Sequence, residues 1–214
     1  MSSNSDNYSI AISKQALAEM PPVDFHERIT LVDTPEKLRK AVAFLNDRSI
    51  VGFDTETRPN FRKGQNHQVS LIQIATDTIS FLFRINHTGF MDELREFLEN
   101  PGITKIGLSL KDDFHNLRKI IEFEPQGFIE LQDMVHNYRI TDASLQKIYG
   151  ILFGQRISKG QRLTNWEALE LTPAQQQYAA LDAWACLHIY RHLTAGNFNP
   201  EESKFKVYPE PSEI

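Results

Sequence analysis

Two carboxylates, Asp54 and Glu56, directly follow an apolar run at residues 50–53. Residues i and i+2 of a β-strand point to the same face, so both side chains would project together from the end of a buried strand. Like charges held side by side away from water are unfavourable unless a positive charge lies between them. A divalent cation with oxygen ligands is one solution, and a solvated strand end with two surface acids is the alternative. Carboxylates elsewhere in the chain decide between the two.

A third carboxylate, Asp182, lies on an apolar face of the last long helix, predicted for residues 173–194. The residues that share this face follow helical spacing: Tyr178, Asp182, Cys186, Ile189 and Leu193. A carboxylate on a face that points to the core needs a partner. A hydrogen bond to Tyr178, one turn away, is one interpretation. A metal site shared with Asp54 and Glu56 is the more economical one.

Asp112 and Asp113 begin a predicted helix that follows a strand at residues 103–108. Acids in this position also complement the helix dipole, which is the alternative to a role in a site. Carboxylates without a histidine or cysteine cluster suit Mg²⁺ or Mn²⁺. Two such ions about 3.5–4 Å apart can activate water and stabilise the leaving oxygen in an in-line attack on phosphorus. The acidic residues therefore predict hydrolysis of phosphodiester bonds.

The elements that must position these residues alternate between strands and helices. This alternation predicts an α/β layered domain with a mixed sheet, and the short links between residues 49 and 83 predict antiparallel pairing there. The predicted strands are residues 28–32, 49–53, 69–75, 79–83, 103–108 and 128–131. The predicted helices are residues 10–19, a segment beginning after Thr34, and residues 90–99, 111–122, 132–139, 144–153 and 173–194.

Composition limits the classes of function. The 214 residues carry 23 basic and 28 acidic side chains, a net charge of −5, which argues against charge-driven coating of nucleic acid or membrane but leaves room for a local basic groove. The single cysteine, Cys186, excludes an intramolecular disulfide. We see no signal peptide and no window of about 20 apolar residues. We therefore expect a cytoplasmic protein without a membrane partner, and we assume a monomer.

Three segments resemble the motifs of the DEDD superfamily of 3′–5′ exonucleases: Phe-Asp-Thr-Glu at 53–56, Gly-Leu-Ser-Leu-Lys-Asp-Asp at 107–113, and Tyr-Ala-Ala-Leu-Asp at 178–182. The Tyr-x₃-Asp form of the third motif is typical of the tyrosine branch, which includes ribonuclease D and Werner-type exonuclease domains. Residues 161–167, Gln-Arg-Leu-Thr-Asn-Trp-Glu, are most similar to the Werner-type group.

The resemblance implies a ribonuclease H-like α/β fold with a mixed five-stranded sheet flanked by helices. It also implies removal of nucleoside monophosphates from the 3′ end of DNA or RNA with two Mg²⁺ or Mn²⁺ ions. We divide the chain into an N-terminal extension (1–27), an exonuclease domain (28–195) and a C-terminal tail (196–214). The alternative function is a catalytically silent nuclease fold that binds nucleic acid or a protein partner.

The resemblance also implies roles for five residues. Asp54, Glu56 and Asp182 would hold the first metal ion, and Asp54 would bridge to the second. Asp113 would support the second ion through water, and Tyr178 would orient the attacking water.

The second motif departs from the family pattern, because many members have Asn in place of Ser109 and an aromatic residue in place of Asp112. Asp112 is therefore a weaker rival to Asp113. Trp166 could stack on a base, and the alternative is that it packs in the core. The basic loop before residue 68 could bind phosphates, and the alternative is that it is simply solvated. The expected contacts to nucleic acid are Thr57, Arg62, Lys63, His67, Lys159, Arg162 and Trp166.

Overall fold

The computed structural model describes residues 7–62, 64 and 66–210, and within them a central sheet has six strands in the order β2-β5-β4-β3-β6-β7. Lys63, one of the expected nucleic-acid contacts, lies outside the described residues. The strands are β1 (Ser9–Ile10), β2 (Arg28–Val32), β3 (Ile50–Thr57), β4 (Val69–Ala75), β5 (Ile79–Phe83), β6 (Thr104–Gly107), β7 (Phe128–Glu130) and β8 (Lys206–Val207).

The central sheet is mixed, as predicted. Strands β3, β4 and β5 pair antiparallel in succession, whereas β2–β5, β3–β6 and β6–β7 pair parallel. The ribonuclease H-like α/β arrangement is confirmed, but the implied count of five strands is wrong. Each of the six strands predicted from the sequence pattern is present, and the sixth is the three-residue β7 at the edge beside β6.

The helices of the described residues are α1 (Lys14–Ala18), α2 (Pro35–Asn46), α3 (Ile85–Thr88), α4 (Asp92–Glu99), α5 (Leu110–Leu117), α6 (Leu131–His136), α7 (Leu145–Phe153) and α8 (Pro173–Thr194). The N-cap predicted at Thr34 is formed, because its hydroxyl accepts from the Lys37 amide at 3.3 Å. The short α3 was not predicted. Four predicted helices, 10–19, 90–99, 111–122 and 132–139, are shorter than expected. The first begins after its cap Ser13 and the second begins at Asp92, whereas the third ends at Leu117 and the fourth at His136.

Two apolar layers cover the sheet. Helices α7 and α8 pack on one face, and α2, α4 and α5 contribute to the core on the other. Helix α8 lies close against β3 because Gly52 has no side chain: a Cβ there would come within 1.9 Å of the Ala183 carbonyl oxygen. This close approach sets the distance between the end of β3 and the acidic face of α8.

Two short strands near the ends of the described residues pair with each other. Strand β1 runs antiparallel to β8, and the Ala11 amide donates to the Phe205 carbonyl oxygen at 3.1 Å. The described part of the C-terminal tail is thus tied to the N-terminal extension through β8. None of the helices in the described part of the chain combines the length and apolar character needed to cross a bilayer.

Candidate active site

Strand β3 carries Asp54 and Glu56 to one side of the sheet. Val51 and Phe53 pack into the core on the side of α2, so the alternation of the strand turns Gly52, Asp54 and Glu56 toward α8. Both carboxylates are half-buried at the floor of a cleft. Asp182 reaches the same floor from α8 and is 5% exposed.

These three carboxylates form one group. Each contributes an oxygen, and the three oxygens lie within 4.8 Å of one another. One Asp182 oxygen, Oδ1, is sealed from solvent and has no hydrogen-bond partner among the described residues. Oxygen-only donors at this spacing, with one buried oxygen left unpaired, fit a hard divalent cation such as Mg²⁺ or Mn²⁺.

Asp113 lies beside this group, in the first turn of α5. Its carboxylate accepts a hydrogen bond from the Thr55 hydroxyl, and the side chain is largely buried. The charge of Asp113 raises the pKa of Glu56, and the charge of Asp54 raises the pKa of Asp113. Asp112 is exposed, so the structure brings Asp113 and not Asp112 to the acidic group.

The crowding of these acids shifts their protonation. Burial, reinforced by neighbouring carboxylates, raises the pKa of Glu56 to about 10 and that of Asp113 to about 8. Burial and the charge of Asp182 raise the pKa of Asp54 well above its usual range. Burial also raises the pKa of Asp182 to about 7, opposed by a hydrogen bond from Tyr178. Without a cation, the group therefore holds protons at neutral pH.

The opposite side of the cleft is basic. Lys159 and Arg162, both on the loop before Trp166, line the cleft and are exposed. Their charges lower the pKa of Asp182, which places them within electrostatic reach of the carboxylates. Tyr178 also lines the cleft, one turn before Asp182 on α8. The cleft has a volume of about 300 Å³ and combines acids on its floor with cations on its wall.

The remaining expected contacts to nucleic acid are placed differently. Trp166 has no exposed surface and packs in the core, 6.1 Å from the Tyr178 ring between centroids, so the core-packing alternative holds and its ring is not available to stack on a base. His67 is bound to Glu167, with Nδ1 to Oε1 at 2.9 Å. Thr57 lies at a bulge that ends β3, and Arg62 is exposed on the following loop. None of these four is among the residues that line the cleft.

Sequence reasoning missed the far end of the cleft. Ser109, which belongs to the second motif, also lines the cleft and has φ at +64°. The far end itself is formed by the first turn of α7, Ser144 to Gln146. No spacing signal could have found them, because Ser144 and Leu145 read as an ordinary helix start and Gln146 as an ordinary polar position.

The mixed sheet, with the acidic cleft at the end of β3, has the ribonuclease H-like fold. The chain belongs to the 3′–5′ exonuclease family, whose profile matches residues 29–196.

Individual proteins show the same relationship. The chain is 33% identical over 170 residues to the mouse bifunctional 3′–5′ exonuclease/ATP-dependent helicase WRN, covering 76% of this chain but only 12% of the mouse protein. The crystal structure of the Nibbler EXO domain from Aedes aegypti matches with a TM-score of 0.73 at 21% identity, covering 85% of this chain and 96% of that one. Ribonuclease D from Trypanosoma brucei, in complex with RNA U12, matches with a TM-score of 0.68 at 21% identity, covering 84% and 64% respectively.

Proposed function

We propose that the chain hydrolyses phosphodiester bonds from the 3′ end of a nucleic acid and releases nucleoside monophosphates. The observation that carries this proposal is the group formed by Asp54, Glu56 and Asp182, whose oxygens lie within 4.8 Å of one another on the floor of a cleft with a basic wall. A binding module without catalysis has no need to bury three carboxylates together, because their mutual repulsion destabilises the fold.

The carboxylates would hold two divalent cations. Asp54, Glu56 and Asp182 would bind one, and Asp113, hydrogen-bonded to Thr55, would support the other together with Asp54. When bound, Mg²⁺ or Mn²⁺ supplies activation of water and charge stabilisation of the leaving oxygen.

Two further parts of the cleft act on the substrate. Lys159 and Arg162 bind phosphate oxygens on the basic wall and hold the strand across the carboxylates. Tyr178 keeps its phenol proton, because burial and the neighbouring carboxylates raise its pKa, and its hydroxyl orients the attacking water. The RNA-bound ribonuclease D of similar fold supports nucleic acid as the substrate class.

The paired variants Asp113→Asn and Asp112→Asn test the proposal, because they make the same change one residue apart. Digestion of 5′-labelled DNA and RNA strands with Mg²⁺ or Mn²⁺ should yield a ladder of shortened strands and mononucleotides for the wild type and Asp112→Asn. Asp113→Asn should lose at least 100-fold in rate, by analogy with the loss on removing one electrostatic contact to a transition state, about 10²–10³-fold.

The alternative function, binding without cleavage, predicts a different result. The wild type would then retain labelled strands in a binding assay but produce no mononucleotide with either cation. Equal activity in both variants would instead remove Asp113 from the site.

A further inference from the structure

The far end of the cleft carries a polar group that the carboxylate chemistry does not use. Gln146 lies in the first turn of α7, lines the cleft and is 8% exposed. Its side-chain amide makes no hydrogen bond to any described residue, and neither amide atom is sealed from solvent. A buried amide without a protein partner is costly unless water or a ligand satisfies it.

The backbone around Gln146 leaves further hydrogen-bonding groups free. Helix α7 has nine residues, and the Ser144 side chain at its N-cap makes no capping hydrogen bond. The amides of Leu145 and Gln146 have no carbonyl within the helix to donate to. The Lys147 amide is satisfied by the Ser144 carbonyl oxygen at 3.0 Å. The residues that line this end of the cleft thus offer two backbone donors, one hydroxyl and one side-chain amide.

The character of this end favours an uncharged partner. Its side-chain polar groups are neutral, and the cations that line the cleft stand on the loop of Lys159 and Arg162. Leu108 and Leu145 supply apolar walls beside the polar groups. Apolar walls with neutral donors and acceptors at one edge match an uncharged nucleoside, which has apolar ring faces and polar edges.

We propose that Gln146, with the Ser144 hydroxyl and the first turn of α7, binds the nucleoside at the 3′ end of the substrate and sets specificity for that terminal residue. The amide both donates and accepts, so it can pair with a base edge or with a sugar hydroxyl. This inference rests on the exonuclease function proposed above. It adds a recognition contact that is separate from the carboxylates and from the basic wall.

Gln146→Met tests the proposal, because methionine keeps the length of the side chain and removes its hydrogen bonds. We expect KM to rise about tenfold, the loss expected for one or two hydrogen bonds, with kcat nearly unchanged. The thermal midpoint of the free protein should stay equal or rise, since no hydrogen bond within the protein is lost. Gln15→Met, on the exposed surface of α1, is the matched control and should leave KM unchanged.

Three otherwise identical oligonucleotides identify the contact: one ends in deoxyadenosine, one in adenosine and one in an abasic deoxyribose. A rise in KM that is absent only for the abasic end assigns the amide to the base. A rise only for adenosine assigns it to the 2′-hydroxyl, and an equal rise for all three assigns it to the sugar atoms that the three ends share. Each of these results supports the proposal.

Two results would overturn it. One is an unchanged KM for all three ends while the wild type cleaves, and the other is a fall in kcat without a change in KM. A wild-type protein that cleaves none of the three ends contradicts the exonuclease function instead, so the two failures can be told apart.

Discussion

Tyr178 has a phenol that stays protonated at neutral pH. Its pKa is raised first by burial and then by the charges of Asp182 and Glu56, so it lies above the value near 10 of a free tyrosine. The protonated phenol donates a hydrogen bond to Asp182 and cannot take a proton from water. In the proposed reaction, its contribution would therefore be the orientation of the nucleophile.

Tyr178→Phe separates this orienting role from metal binding. The change keeps the ring in the core and removes one hydroxyl, so we expect the turnover rate to fall by about 10²–10⁴-fold, the range for a positioned group in proton handling. The stabilisation by Mg²⁺, measured as the rise in thermal midpoint, should remain because the carboxylates are intact. A near-wild-type rate would mean that the hydroxyl has no part in catalysis, and loss of the Mg²⁺ response would give it a structural role.

The sequence predicted the positions of the acidic site residues better than those of the uncharged ones, because strand and helix periodicity places the acids. Asp54 and Glu56 share a strand face, and Asp182 interrupts an apolar helix face. Trp166 and Gln146 carry no such periodic signal. The indole could pack in the core or lie on the surface with the same local sequence, and only the tertiary contacts put it beside Tyr178.

At the level of elements, the contact between β3 and α8 controls the site. The Ala183 carbonyl occupies the space that a side chain at Gly52 would fill, and Asp182 is the adjacent residue on the helix. A displaced helix would therefore separate Asp182 from Asp54 and Glu56. Gly52 is itself uncharged, yet the close approach that it permits sets the distance from Asp182 to Asp54 and Glu56.

Gly52→Ala should lower both stability and activity. The new methyl group would overlap the α8 backbone, and overpacking of this kind costs about 1–3 kcal/mol. Urea unfolding should show this loss of stability. The cleavage rate should fall by more than the decrease in the fraction of folded protein explains. Gly102→Ala is the control, because its added Cβ would meet only the Asn100 side-chain oxygen, at 3.1 Å on the exposed surface. Equal stability of the two variants would show that α8 moves freely to accommodate the methyl.

The sequence also predicted the sheet more fully than the resemblance did. All six strands have a pattern of apolar residues bounded by turn residues, whereas the count of five came from the family comparison. Helix ends were less predictable. They depend on local capping, as where Ser13 starts α1 late, and the four-residue α3 is too short to show a helical period.

The whole molecule carries a net charge of −5, so affinity for nucleic acid has to come from a local group of cations. Among the described residues, Lys159 and Arg162 are the cations that line the cleft. Binding of a nucleic acid should therefore neutralise few phosphates and release few counterions.

The salt dependence of binding tests this charge distribution. In an Asp182→Asn background, which prevents cleavage, log K against log salt for a single strand should have a shallow slope, about −0.7 for each phosphate contacted. Arg162→Gln should reduce the magnitude of that slope by about 0.7. Arg48→Gln, at an exposed site after α2 where the guanidinium lies over Phe44, should leave it unchanged. A steep wild-type slope that Arg48→Gln reduces as much as Arg162→Gln does would mean that nucleic acid binds outside the cleft.

The stability of the whole protein should depend on pH through the same carboxylates. In the unfolded chain they titrate near pH 4, whereas in the folded protein the pKa of Asp182 is about 7, that of Asp113 about 8 and that of Glu56 about 10. Between these limits the folded state holds more protons than the unfolded state. The stability from these groups is complete below about pH 4 and is lost as the pH rises through the folded-state pKa values.

Mg²⁺ should reverse this loss, because the cation replaces the protons that the carboxylates give up. The rise in thermal midpoint on adding Mg²⁺ to chelator-treated protein should therefore increase from pH 6 to pH 9.

Lys105 has its pKa lowered to about 8 by burial, which favours the folded state as the pH rises above 8. The difference with and without Mg²⁺ removes that contribution, since Lys105 bonds to the Asn100 carbonyl, away from the acids. Asp182→Asn, which removes one of the proposed ligands, should show a smaller Mg²⁺ effect at every pH. A wild-type effect that is constant from pH 6 to pH 9 would mean that protons and the cation do not compete for the same carboxylates.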